Sequence, residues 1–174
     1  FLFMFKNLLL GLLVISPFSA LAHPHAFIDM QTKPLVKDNQ LIGFSTQWLL
    51  DEASSSAVLY DVKQAKGDKA AQQKLVDEVM VNVVNEHYFS YVFDKENHKI
   101  KYTKHPENYG MRVKGNEVEY YFDFLLAQPQ ALQNNEFTLM TYDRTYYVAM
   151  RYVETGKRAV DFSSLPANCK GEVQ

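Results

Sequence analysis

Gly115-Asn116-Glu117-Val118-Glu119-Tyr120-Tyr121-Phe122-Asp123-Phe124 is the stretch on which the class of fold turns. Val118, Tyr120, Phe122 and Phe124 fall on every second position and alternate with Glu117, Glu119, Tyr121 and Asp123. That is the period of a strand with one dry and one wet face. Gly115-Asn116, directly after Met111 to Lys114, suits a tight turn, so the segment predicts a hairpin. Downstream, Phe137 to Tyr142, Tyr146 to Val153 and Ala159 to Phe162 predict further strands, punctuated by Asp143-Arg144, Gly156 and Pro166. The tail after Pro166 reads as irregular.

Upstream the period changes. Leu75, Val76, Val79, Met80, Val83, Val84 and Tyr88 recur at steps of three and four, which predicts one long helix with a single buried stripe, started at Gly67-Asp68 with Asp68 as N-cap. His87 continues the stripe and is expected to be a half-buried packing histidine. Asp51 to Val62, with three serines, fits either a short helix or a loop. Ala26 to Val36 and Leu41 to Leu50 are extended and apolar around Lys37-Asp38-Asn39-Gln40, a second hairpin. About seven short strands and one long helix give an α+β domain, an antiparallel β-sheet or sandwich with the helix packed against it.

The chain has 174 residues, 47% hydrophobic and 22% charged, with a single Cys. Such a composition is that of one globular domain. A net charge of −2 gives no electrostatic reason to bind phosphate backbones, which argues against a nucleic-acid partner. One cysteine closes no intrachain disulfide and builds no Cys-pair zinc module, so any metal site must use nitrogen and oxygen ligands.

Residues 1–22 are set apart from the fold. Lys6, the apolar run Leu8 to Ile15, the break at Ser16-Pro17 and the small residues of Ala20-Leu21-Ala22 make a signal peptide, leaving residues 23–174 as one exported, periplasmic domain. Cleavage after Ala22 would expose His23-Pro24-His25-Ala26-Phe27-Ile28-Asp29. A free α-amine has a pKa near ~7.7–8.0, so a metal can displace its proton near neutrality and be chelated by the amine and imidazole of His23 together. His25 lies on the same side of an extended chain, about 6.6 Å further on. Asp29 continues that face, while Pro24 lacks the N–H that square-planar amino-terminal copper sites use. Two histidines at a frayed terminus can equally be solvated side chains.

Elsewhere the candidates thin out. Asp51-Glu52 could lend a carboxylate, and Asp143 either caps a turn or reaches a site. His98 and His105 sit among Lys95, Lys99, Lys101 and Lys104, as on a charged, solvated edge strand. The aromatic last third, with Tyr120, Tyr121, Tyr142, Tyr146, Tyr147 and Tyr152, reads as sheet core with amphipathic edges. There is no nucleophile elbow, P-loop, dinucleotide fingerprint or zincin helix, so a non-enzyme is expected.

His23-Pro24-His25-Ala26-Phe27-Ile28-Asp29, Trp48-Leu49-Leu50-Asp51-Glu52, Tyr88-Phe89 and Tyr142-Asp143-Arg144-Thr145-Tyr146-Tyr147 together resemble an exported family of formerly unknown function encoded beside nickel/cobalt-type permeases. Some of its members are labelled periplasmic components of ABC-type transport, and the Zev-type branch is tied to zinc utilisation. The resemblance implies a periplasmic accessory to transition-metal transport that binds Zn²⁺, or Cu²⁺ or Ni²⁺, and works with an inner-membrane metal permease. His23 and His25 occupy the matching His-Pro-His positions; Asp51 and Asp143 match acidic positions of the later blocks, and we infer that they are further ligands. Two alternatives stand beside it: a copper enzyme with an N-terminal histidine brace, and a metal-free interaction module of the permease.

Overall fold

Two tight turns organise the sheet. In the computed structural model, which describes residues 25–153 and 159–174, β1 (Ala26–Lys37) and β2 (Gln40–Leu50) pair antiparallel across Asp38 and Asn39. Both turn residues have positive φ, 52° and 58°, the geometry of a type I′ turn, whose twist matches that of the strands it joins. β5 (Glu107–Lys114) and β6 (Glu117–Ala131) turn instead at Gly115, φ 63°.

Between these hairpins lie α1 (Glu52–Gln64), α2 (Lys69–Asn85), β3 (Ser90–Phe93) and β4 (Lys99–Ile100); β7 (Thr138–Thr141) and β8 (Val148–Tyr152) follow. The fold is therefore a mixture of two helices and, among the described residues, eight strands. They form a five-stranded sheet in the order β5-β6-β2-β1-β8 and a three-stranded sheet in the order β4-β3-β7.

Four features differ from the sequence expectation. The single long helix gains a companion, because the segment expected as a short helix or a loop forms α1, with Asp51 as its N-cap. The five-stranded sheet is mixed, since β8 lies parallel to β1, from Ala26↔Val148 to Met30↔Tyr152. The strand expected at Ala159 to Phe162 reduces to a parallel bridge, Thr32↔Val160. Finally, the helix ends at Asn85, three residues short of its apolar stripe. His87, Tyr88 and Phe89 follow with φ of 53°, 57° and 50°, a left-handed turn that leaves His87 exposed rather than half-buried and swings Tyr88 into the core.

One hydrophobic cluster joins Met30, Phe44 and Trp48 of the first hairpin to Val118, Phe122 and Phe124 of β6 and to Val76, Met80 and Val83 of α2. Each such side chain contributes roughly 1.5–3 kcal/mol by burial. The opposite face of β6 is less wet than its sequence suggests. Glu119 is buried beneath Arg112 (2.9 Å) and Lys114 (2.6 Å), and Arg112 also covers the Tyr121 ring. Both cations are half exposed, and ion pairs with exposed members contribute about 0–1 kcal/mol. The dry face therefore sets the register of β6.

Candidate functional site

Three segments far apart in sequence meet where β1 begins. The first is the chain entry. His25 is exposed; its backbone N–H donates to the Tyr147 carbonyl (2.8 Å), which also accepts from Ala26 N–H (3.4 Å). The two rings lie 4.9 Å apart between centroids, tilted by 32°. Two residues on, Phe27 N–H donates to Asp51 Oδ2 (2.7 Å) and the Phe27 carbonyl accepts from Asp51 N–H (3.1 Å).

Asp51 belongs to the second segment, the junction of β2 and α1. It is the N-cap of α1, its Oδ1 accepting from Ser54 N–H (2.7 Å). One carboxylate thus ties the helix start to the chain entry. Desolvation pushes this carboxyl up, but the N–H groups of Ser54 and Phe27 outweigh it and hold the group below its ordinary range.

The third segment is the β7–β8 turn, organised by Asp143. Asp143 Oδ1 accepts from the Thr145 N–H (2.9 Å) and hydroxyl (2.8 Å), and Oδ2 accepts from Val148 N–H (2.9 Å). Against desolvation, these donors likewise hold the Asp143 carboxyl low. The turn they fix presents Tyr146, φ 58°, and Tyr147. Arg151 on β8 closes the corner: its Nη2 lies 2.7 Å from Asp29 Oδ1, and its guanidinium rests over the Phe27 ring.

His25, Asp51 and Asp143 are therefore linked through backbone hydrogen bonds, and each carboxylate oxygen of the two aspartates is already an acceptor. His23 and the leader 1–22 lie outside the described residues. Among the described residues, the one trio of His, Cys, Asp or Glu side chains whose ligand atoms all lie within 4.8 Å of one another is Asp94, Glu96 and His98. Sequence reasoning passed over this trio, although its spacing of two residues was there to be seen. It lies on an exposed turn in which Asp94 Oδ1 accepts from Glu96 N–H (2.9 Å) and His98 N–H (2.8 Å). The His98 N–H is the main cause that holds the Asp94 carboxyl low.

Tyr142, Tyr146 and Tyr147, expected as sheet core or amphipathic edge, are exposed, as is Phe27; Tyr146 is 72% exposed, and the Tyr142 ring lies against Tyr91. No local signal marks this. Tyr147 acquires its place through the pairing of β1 with a strand about 120 residues later in sequence.

A family model described as a protein of unknown function, DUF1007, matches residues 8–174. An uncharacterized protein of Haemophilus influenzae is 59% identical over 167 residues, which is 96% of this chain and 79% of that protein. No solved structure matches the chain.

Proposed function

The chain belongs to the DUF1007 family of proteins of unknown function, and from that premise we propose that it is a non-enzymatic, periplasmic protein that binds a transition metal ion, Zn²⁺ first, and exchanges it with an inner-membrane metal permease. The observation that carries this is the anchoring of His25. Its N–H is held by the Tyr147 carbonyl and its ring lies against the Tyr147 ring, so His25 itself is seated on the β7–β8 turn. A histidine already ordered loses less conformational freedom when an ion binds, which favours affinity.

The ligands in this proposal are the α-amine freed by cleavage after Ala22, the imidazole of His23 and that of His25. Asp51 and Asp143 complete the acidic side of the corner. Each keeps lone pairs beyond those given to backbone N–H groups, and each restrains a segment that touches the chain entry. No helix among the described residues is long and apolar enough to cross a membrane.

Calorimetric titration of residues 23–174 with Zn²⁺ tests the proposal. A native His23 terminus should bind one ion, and a version with one extra residue before His23 should bind far more weakly. Equal and weak binding by both would remove the site from this corner. The exposed aromatics Phe27, Tyr146 and Tyr147 support a second reading, a metal-free module that docks on the permease through exposed aromatic side chains. Permease capture that survives His23→Ala and His25→Ala, by protein purified without metal, would favour it.

A further inference from the structure

We propose that the outward face of the three-stranded sheet β4-β3-β7 docks on an anionic lipid surface. Alternation decides which side chains form this face. Val92 on β3, Leu139 on β7, Ile100 on β4 and Tyr102 just after it pack on the hydrophobic core. Their neighbours Tyr91, Phe93, Met140, Lys99 and Lys101 therefore turn the other way. Strand pairing makes them contiguous: Tyr91 lies opposite Met140, and Phe93 opposite Lys99. Tyr142, directly after β7, lays its ring 5.2 Å from that of Tyr91, and Lys99 Nζ stands 4.7 Å from the Tyr91 ring centroid. Met140 is 48% and Tyr142 42% exposed, and both lysines are exposed. The face thus holds aromatic rings, a thioether and two cations, with no carboxylate among these side chains.

Charge and area name the occupant. The chain is weakly acidic as a whole, yet residues 95–104 hold four Lys against one Glu, so positive charge is gathered at this sheet. Such a face complements an anionic partner. Three strands about 4.8 Å apart, each at most four residues long at about 3.3 Å per residue, present roughly 200 Å². A stable protein interface takes about 800 Å² from each partner, so neither a second copy nor another protein is held by this face alone. A bilayer sets no such minimum. Each Lys near an anionic leaflet strengthens binding roughly fivefold, and Tyr and Met side chains lodge their apolar parts at headgroup level. Lipid docking here is independent of any metal at the chain entry.

The test uses residues 23–174, because the apolar run Leu8 to Ile15 would bind lipid by itself. At low salt the protein should sediment with vesicles of about 30 mol% phosphatidylglycerol in phosphatidylcholine and stay in solution with phosphatidylcholine alone. About 1 M salt, which screens charges beyond about 3 Å, should release it. Lys99→Gln with Lys101→Gln should weaken binding about twentyfold, and Lys101→Gln alone, which leaves the Lys99 contact with Tyr91 in place, about fivefold. Met140→Ser should weaken binding less and leave its salt dependence unchanged. Lys63→Gln with Lys74→Gln removes the same charge from α1 and α2 and should change binding by less than about twofold. Failure to sediment with the anionic vesicles overturns the proposal, as does equal sedimentation with phosphatidylcholine alone. An equal loss in the helix variant also overturns it, since the attraction would then belong to overall charge and not to this face. Poly-glutamate bound through Lys99 and Lys101 by a protein that ignores the vesicles would assign the face to an acidic protein instead.

Discussion

Tyr88 combines a left-handed backbone with a buried polar atom. It sits in the left-handed region at φ 57°, between two neighbours in the same region, where each L-residue costs on the order of 1–2 kcal/mol. Its ring offsets that cost by stacking on Phe122 and Phe124 and meeting Tyr102 edge-on. The hydroxyl, however, is buried with no hydrogen-bond partner among the described residues. Burial pushes its pKa from 10 up to about 12. The shift favours the neutral, folded form, so its stabilisation is complete below pH 10 and disappears as pH rises through about 12. Two units amount to about 2–3 kcal/mol. Burial raises Tyr102 and Tyr120 as well, with the same sign. Urea midpoints should therefore stay level from pH 7 to 9 and fall from pH 10 upward. Tyr88→Phe removes an unpaired hydroxyl from the core, so it should be neutral or stabilising by about 1 kcal/mol at pH 7 and should flatten part of the alkaline fall. A loss of stability at pH 7 would mean that the hydroxyl has a partner.

At the scale of elements, α1 is held by two side chains rather than by its own preference. Ser55, fully buried, donates from Oγ to the Leu50 carbonyl (3.3 Å) and accepts from Val118 N–H (2.8 Å), joining helix, β2 and β6. Ser55→Ala strands a buried N–H and should cost about 1–3 kcal/mol in denaturant unfolding. Asp51→Ala should cost about 1–2 kcal/mol, because it loses the cap together with the Phe27 clasp, and Asp51→Asn should recover most of the capping part. Gly43 is constrained differently. A Cβ there would lie 2.3 Å from the Phe124 carbonyl, so Gly43→Ala must part β2 from β6, at about 1–3 kcal/mol. These contacts explain what was legible in the sequence. The alternation Val118 to Phe124, the Asp68 cap and the two tight turns are local, and each appears in the structure where it was expected. The three serines of α1 have weak helix preference, and the contact that decides their state spans 63 residues. The parallel pairing of β1 with β8 has no local signature either. For the candidate site the same division holds. His25, Asp51 and Asp143 were singled out by residue type, while Tyr147 depends on a partner strand that only the fold supplies.

For the molecule as a whole, the consequence is that its first strand is also one of its most tied. β1 pairs with β2 on one side and β8 on the other, and Asp29 with Arg151 spans the second pairing. If His25 binds an ion as proposed, that ligand sits next to a strand whose release requires both pairings to open. Binding of that kind adds to global stability, by about 2.7 kcal/mol at a free ion concentration one hundred times Kd. For a domain of about 150 residues each kcal/mol moves Tm by roughly 2–4 °C. Zn²⁺ should then raise the Tm of residues 23–174 by about 5–10 °C in a thermal scan, and EDTA should reverse the rise. His25→Ala should abolish most of it, as should one extra residue before His23. The exposed trio Asp94, Glu96 and His98 serves as the internal control. It lies on the β3–β4 turn, remote from the chain entry in sequence and held by its own hydrogen bonds. A rise that survives His25→Ala and vanishes in His98→Ala would place the ion on that turn, and β1 would then be a structural strand with no metal of its own.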